Sequence, residues 1–158
     1  MRVLFSGLVA LIVTSTVAFA QPLEPREGWQ VINTDLTFPD LVSRMETAIS
    51  AEKMGLVTQA SASKGARAQG IGIPGNRVMG VYRNDFARRM LAASVAAGIE
   101  APIRFYLAEN EAGGSTIAWK TPSFVFAPYL AEGGDALQTL AIELDVIFVA
   151  IAQRATAQ

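Results

Sequence analysis

The last helix predicted in this 158-residue chain, from Asp135 to about Ala155, carries apolar side chains on two opposite sides. Since successive helical residues are about 100° apart, one side collects Leu137, Leu140, Leu144, Ile147, Phe148 and Ile151. The nearly opposite side collects Ile142, Val146 and Val149. A helix that is apolar on two sides is normally buried on two sides. We therefore expect one side to pack on a sheet, and the other to be covered by residues 124–130, by a second subunit or by an apolar ligand.

Seven further elements precede that helix. Strands are predicted at residues 29–34, 56–60, 78–82, 103–109 and 116–120. One helix begins at the N-cap Thr37 and is ended by Gly55, and another, capped by Asn84, runs from about Asp85 to Ala97. The resulting order, β-α-β-β-α-β-β-α, predicts an α+β fold: a two-layer sandwich with a mostly antiparallel sheet and helices packed on one face.

Two segments between the predicted strands and helices show no regular spacing of apolar residues. Residues 61–75 are small, polar and glycine-rich, which predicts a loop with room for one helical turn around Ala66. The glycines of this loop do not have the spacing of a dinucleotide-binding fingerprint, and no P-loop lysine follows them. Residues 124–134 are rich in aromatic side chains and predict an irregular connection.

The N-terminal residues have the three parts of a secretory signal peptide: a positive charge, an apolar run at residues 4–13, and small residues before the cleavage point. Polar residues 14–16 interrupt the run before it reaches the roughly 20 residues that a spanning helix needs. We therefore expect a cleaved signal peptide at residues 1–20, a flexible lead-in at 21–27 and a single domain at 28–158. The expected location is the periplasm, without stable membrane insertion.

The chain contains neither cysteine nor histidine. This composition excludes disulfide bonds, catalytic triads or dyads that use histidine or cysteine, and the common zinc sites. The formal net charge of −1 provides no overall attraction to nucleic acid. We therefore expect no metal, no cofactor and no nucleic-acid partner. Enzymatic activity is left open, with a non-catalytic role favoured.

Several short motifs resemble a known family. They are Ala66-Arg67-Ala68 with Gly70, Arg77-Val78, the run from Ala101 to Phe105, the acidic hairpin at 109–114, and the run from Trp119 to Pro122. From about Asp35 to Ala155 the chain is similar to the domain-of-unknown-function 302 family of small bacterial α+β proteins. The resemblance implies a two-layer domain, often a homodimer, without an established biochemical role. Many members carry Asp-His where Ser61-Ala62 stand here, so the resemblance implies no histidine chemistry for this chain.

Two groups of cationic residues are candidate anion-binding sites. Arg83 and Arg88 lie near the start of a predicted helix, whose free N–H groups attract anions. Arg104, Tyr106 and Lys120 share one side of the predicted hairpin, where arginine is suited to bidentate binding of carboxylate or phosphate. The alternative for both groups is a set of solvated charges, on a helix surface in the first case and on an open sheet face in the second.

A third candidate site is an apolar pocket or dimer seam. Its residues are Trp119, Phe124, Phe126, Tyr129, Val146 and Val149. Aromatic side chains are frequent in such sites, and the alternative is ordinary core packing.

These observations favour a periplasmic homodimer that binds a small anionic or apolar ligand, or a partner protein, without catalysis. The alternative function is a metal-free enzyme that uses Arg104, Tyr106 and Glu109 on the hairpin face.

Overall fold

The structure is a computed structural model that describes residues 23–157. Within this range, the strands are β1 (Trp29–Thr34), β2 (Gly55–Ala60), β3 (Asn76–Tyr82), β4 (Ile103–Glu109) and β5 (Ser115–Lys120). They form a single sheet in the spatial order β1-β5-β4-β3-β2, and every neighbouring pair is antiparallel. The predicted α+β fold class is confirmed.

The described residues form the helices α1 (Phe38–Ala51), α2 (Ala62–Ala68), α3 (Asn84–Ala93), α4 (Pro122–Phe126) and α5 (Leu130–Thr156). Helices α1, α3, α4 and α5 form a second layer over one face of the sheet, and α2 contacts β3. Helices α1, α3 and α4 each pack against α5, and α1 also contacts β4. Helix α5 is therefore the centre of the layer, and the opposite face of the sheet is not covered by these four helices.

The side chains of β4 alternate between the two faces of the sheet, as predicted. Phe105 lies on the helix side, where its ring stacks on Phe148 of α5 with 4.7 Å between the ring centroids. Trp119, opposite Phe105 on β5, lies 5.4 Å from the same ring. Because side chains alternate along a strand, Arg104 and Tyr106 are directed to the uncovered face.

The predicted end of the first helix is wrong. Thr37 is the N-cap as predicted, and its hydroxyl accepts the N–H of Asp40 at 3.4 Å. The helix, however, stops at Ala51, and the residue with left-handed backbone after it is Lys53, with φ of 56°. Gly55 is already the first residue of β2.

The second predicted helix is shorter than expected from its apolar pattern. Ser94 takes an extended backbone with φ of −151°, which ends α3, and its hydroxyl accepts the N–H of Ala97. The chain continues as a 3₁₀ turn, Ala96–Glu100. At the other end of α3 the N-cap is Arg83 rather than Asn84.

Both segments predicted to be irregular contain helix, and α2 lies where a helical turn around Ala66 was predicted. The Ser61 hydroxyl accepts the N–H of Lys64 at 3.1 Å and caps α2. The hydroxyl of Thr121 caps α4 in the same way. Helix α5 begins before the predicted Asp135 and has a kink at Gly134, whose φ of 52° glycine adopts without steric cost. The starts of α2 and α4 therefore follow capping side chains rather than apolar periodicity.

The two sides of α5 differ in burial. The inner side is buried, as predicted, at Leu137, Leu140, Leu144, Phe148 and Ile151. On the outer side Ile142, Val146 and Val149 are exposed, and Val146 retains 66% of its accessible surface. Residues 124–130 therefore do not cover this side, and that alternative is wrong.

The predicted signal peptide, residues 1–20, lies outside the described residues. In the part of the chain that the structure describes, no helix is long and apolar enough to cross a membrane. The lead-in and the domain boundary stay predictions.

Candidate functional site

The register of the sheet aligns side chains across its uncovered face. Trp29 of β1 is opposite Lys120 of β5, and Ala118 of β5 is opposite Tyr106 of β4. Residues directly opposite one another in an antiparallel pair lie on the same face. Arg104 is two positions from Tyr106, so it lies on that face as well. The pairing of β1 with β5 and of β5 with β4 thus brings aromatic and cationic side chains together.

A groove of about 480 Å³ lies where β4 begins and β5 ends. The sheet supplies one wall, which contains Arg104, Tyr106 and Lys120, so the structure assembles the three residues of the predicted hairpin site. The other wall is apolar and is called the α4 wall; it consists of Phe124, Val125, Ala127 and Pro128. We call the space between the two walls the hairpin groove. Its volume is within the range of about 300–1,000 Å³ typical of small-molecule sites.

The α4 wall is held from two sides. Pro122 occupies the first turn of α4, where backbone N–H groups have no acceptor within the helix, so the missing N–H of proline costs no hydrogen bond. Asp145 of α5 accepts a hydrogen bond from the N–H of Ser123 at 2.9 Å and another from its hydroxyl. Phe124 lies so close to Gly28 that a β-carbon there would collide with the ring. The wall is therefore fixed between α5 and the segment that enters β1.

The cations of the groove lack carboxylate partners. Within residues 23–157 neither Arg104 nor Lys120 forms an ion pair, whereas four other arginines do. The Lys120 Nζ lies 6.0 Å from the centroid of the Trp29 ring, and the Arg26 guanidinium lies 5.3 Å from it. Two cations, Arg104 and Lys120, therefore line the groove, and Arg26 lies beside Trp29, which also lines it.

Glu100 is the one carboxylate among the described residues that line the groove. Its Oε1 accepts a hydrogen bond from the Tyr129 hydroxyl at 2.8 Å. This hydrogen bond, together with burial and the negative charge of Glu100, raises the pKa of Tyr129. A single carboxylate does not balance the two cations of the lining, Arg104 and Lys120, so the groove favours an anion.

The floor of the groove contains a small side chain. Ala118 is completely buried between larger neighbours on adjacent strands. Trp119 also borders the groove, but alternation along β5 directs its side chain to the helix side of the sheet, where its indole N–H is buried without a hydrogen-bond partner among the residues described. The floor that faces the groove is therefore apolar.

The structure separates the other predicted arginines from the groove. Arg83 donates hydrogen bonds of 2.7 and 3.1 Å to Asp85, and its guanidinium lies 4.3 Å from the Phe86 ring centroid. The hydrogen bond from Arg83 lowers the pKa of Asp85. Arg88 is exposed on α3. Because Arg83 is already engaged, the anion site at this helix start stays a prediction that the geometry does not favour.

The predicted aromatic patch is divided among different places. Trp119 and Phe124 line the hairpin groove, whereas Phe126 is buried in the core. Val146 and Val149 lie on the exposed side of α5. The patch is therefore not one pocket, although two of its members contribute to the groove.

Glu109 does not join the group suggested for the catalytic alternative. It is an odd-numbered position of β4, so it lies on the opposite face of the sheet from Arg104 and Tyr106. Its carboxylate accepts the N–H of Gly75 at 2.7 Å. The three side chains are therefore not assembled into one site.

Sequence reasoning missed three residues near the groove: Arg26, Trp29 and Glu100. Trp29 was predicted at the start of a strand, but no local signal identified β5 as the neighbour of that strand. For metals, residues 23–157 contain no cluster of three or more His, Cys, Asp or Glu side chains arranged to hold an ion. The hairpin groove offers space for a ligand with cationic groups beside it.

Comparison with known proteins identifies the family. The family model described as domain of unknown function DUF302 matches residues 30–152, which is most of the chain. The chain belongs to the DUF302 family. This finding confirms the resemblance drawn from the sequence motifs, including those that enter β4 and leave β5. A comparison with curated proteins finds no match.

A solved DUF302 structure shares the fold. The crystal structure of an uncharacterized conserved DUF302 protein from Bacillus stearothermophilus matches with a TM-score of 0.71. The match covers 82% of this chain and 99% of that chain, at 16% sequence identity. At this identity the likeness concerns the fold alone, so the chemistry of the hairpin groove is argued from the residues of this chain.

Proposed function

We propose that this DUF302 protein is an exported binding protein that holds a small anionic ligand in the hairpin groove without catalysis. The observation that carries the proposal is the meeting of Arg104 and Lys120 in one groove, with no carboxylate partner for either among residues 23–157. The signal-like residues 1–20 support export to the periplasm.

The chemistry of the groove suits an acid group. Arg104 offers a planar set of donors for bidentate binding of carboxylate, sulfonate or phosphate, and Lys120 adds a compact charge. The Tyr106 hydroxyl is able to donate a further hydrogen bond. A hydrogen bond to a charged group contributes about 1.5–3 kcal/mol, so the loss of either cation has a measurable effect on affinity.

A fluorescent anion tests this proposal. Anilinonaphthalene sulfonate carries an acid group on an aromatic body and is a probe of apolar surface. We expect it to bind the purified protein, and we expect the double substitution Arg104→Gln with Lys120→Gln to raise its Kd about tenfold or more.

The matched control is Arg88→Gln, which removes a positive charge from an exposed position of α3 away from the groove. We expect this variant to bind the probe as the wild type does. Equal weakening by both sets of substitutions, or no weakening by the double variant, would show that the groove is not the anion site.

We also propose that two copies of the chain associate through the outer side of α5. Ile142, Val146 and Val149 recur at intervals of four and three residues, the spacing of a helix–helix seam, and all three are exposed. When two such helices run antiparallel about Val146, each stripe covers the other.

Size-exclusion chromatography with light scattering tests the dimer. We expect the wild type to elute as a dimer and Val146→Asp to elute as a folded monomer. The control is Val57→Asp, at an exposed apolar position of β2, which should leave the dimer intact. A wild-type protein that stays monomeric at high concentration would contradict the proposal.

A further inference from the structure

We infer that the ligand of the hairpin groove is an amphiphilic anion, with an acidic head at Arg104 and Lys120 and an apolar body against the α4 wall. The inference rests on the proposed function and adds the chemical class of the ligand. It excludes small inorganic anions and short acids as the main occupants.

The two walls of the hairpin groove differ in chemistry. All four side chains of the α4 wall are apolar, and Phe124 keeps 39% of its surface exposed. The sheet wall presents the cations Arg104 and Lys120 beside the Tyr106 phenol. A small anion would contact the cations and leave the α4 wall in water. An apolar body removes that wall from water, which contributes about 25 cal/mol per Å².

The floor continues the apolar wall. Val78 and Ala118 lie under the groove, and Ala118 is buried. Glu100, the carboxylate of the lining, is hydrogen-bonded to Tyr129 at the side. An apolar body on this floor therefore meets few groups that would lose hydrogen bonds to water, which keeps the cost of its burial low.

The size of the groove sets the size of the ligand. A water molecule occupies about 30 Å³ of liquid, so a groove of about 480 Å³ accommodates on the order of ten to fifteen non-hydrogen atoms. A carboxylic acid with about eight to twelve carbons has this size. An acetate or phosphate ion would leave most of the groove filled with water.

A series of straight-chain carboxylates from acetate to decanoate tests the inference. Trp29 and Trp119 are the two tryptophans of the chain, and both line the groove, so intrinsic fluorescence reports binding. We expect the Kd to fall about fourfold for each added CH₂ group, because each buried CH₂ contributes about 0.8 kcal/mol. Octan-1-ol, which has the tail without the charge, should bind about tenfold or more weakly than octanoate.

Substitutions that fill the groove provide an independent test. Ala118→Leu adds bulk at the floor, and we expect it to abolish octanoate binding. Ala108→Leu is the matched control, because Ala108 lies on the same face of the sheet outside the groove lining. If Ala118→Leu fails to fold, Ala127→Trp fills the groove from an exposed position of the α4 wall.

The outcomes distinguish the inference from the proposed function. If acetate binds as tightly as octanoate and both depend on Arg104, the inference is overturned and the proposed function stands. If octan-1-ol binds as tightly as octanoate, or Arg104→Gln leaves octanoate binding unchanged, the groove is not an anion site and both are overturned. If no acid of the series binds, both are overturned as well.

Discussion

The two faces of the sheet are built from alternate residues of the same strands, yet they differ in burial and in chemistry. On the covered face Phe105, Leu107 and Ile117 are completely buried beneath the helices. On the uncovered face Arg104 and Lys120 are exposed beside the hairpin groove. Stability therefore depends mainly on one face, and the proposed binding depends on the other. Single substitutions on neighbouring residues of one strand can separate the two properties.

The largest expected effect comes from Phe105→Ala. Phe105 stacks on Phe148 and contacts Trp119, so its loss leaves a cavity and should lower the free energy of unfolding by about 3–5 kcal/mol. The adjacent Tyr106→Ala, on the uncovered face, should lower the free energy of unfolding by less than about 1 kcal/mol and should weaken the binding of octanoate. Urea denaturation followed by circular dichroism measures both. Similar losses of stability in the two variants would contradict the conclusion that stability depends mainly on the covered face.

Helix α5 allows the same comparison in the other layer. Leu144 lies on the buried side and Val146 on the exposed side. We expect Leu144→Ala to lower the free energy of unfolding by about 2–5 kcal/mol, whereas Val146→Ala should change it by less than about 0.5 kcal/mol. Chemical denaturation at low protein concentration, where a dimer contributes least, is the appropriate measurement. A large loss for Val146→Ala under those conditions would show that this side is also part of the folded core.

A smaller effect tests whether the uncovered face is loosely packed throughout. A β-carbon on Gly80 would lie 2.8 Å from Cγ of Pro102 and would also collide with the Thr58 side chain. Gly80→Ala should therefore destabilise the protein by about 1–3 kcal/mol. The control, Gly72→Ala, adds a β-carbon where no atom lies within 4 Å. Equal thermal stability of the two variants would mean that the strands near Gly80 separate easily.

The smallest effect concerns the surface of the helix layer, where Arg89 pairs with Glu143 at 2.6 Å. The hydrogen bond from Arg89 lowers the pKa of Glu143. Because the folded-state pKa is below the unfolded value, the pair stabilises the protein above the unfolded pKa, and this contribution is lost as the pH falls through the folded value. Both side chains are substantially exposed, so the contribution is small.

Thermal melts between about pH 7 and about pH 3 measure this contribution. We expect the Tm of the wild type to fall more steeply on acidification than the Tm of Glu143→Gln, which has no carboxylate to protonate at this position. The same dependence of Tm on pH in both proteins would show that the Arg89–Glu143 pair contributes nothing to stability.

Much of the fold was predictable because the signals are local. Alternation along β4 and the helical period of α5 each report the direction of side chains relative to their own backbone. Helix ends were less predictable. Lys53 replaced Gly55 as the left-handed residue after α1, and Ser94 ended α3 although apolar residues continued beyond it. At these positions the helix ends were determined by hydrogen bonds of single side chains and by tertiary packing, and not by the spacing of apolar residues.

The candidate site was predictable in part. Arg104, Tyr106 and Lys120 were grouped correctly, since a short hairpin determines which residues of its two strands share a face. The α4 wall and Trp29 were not assigned to the site, because they depend on contacts between residues far apart in the chain. Glu109 was grouped wrongly with Arg104, although alternation along β4 already separated them.

The sequence by itself determined the α+β order, the alternation of buried and exposed positions, and the absence of histidine and cysteine chemistry. These properties follow from residue identity and from the local period of the backbone. Only the tertiary structure decided that β1 pairs with β5, that α4 packs beside the sheet, and that a groove lies between them. Strand order and the shape of a groove arise from packing between distant segments, and no local pattern specifies which segments will meet.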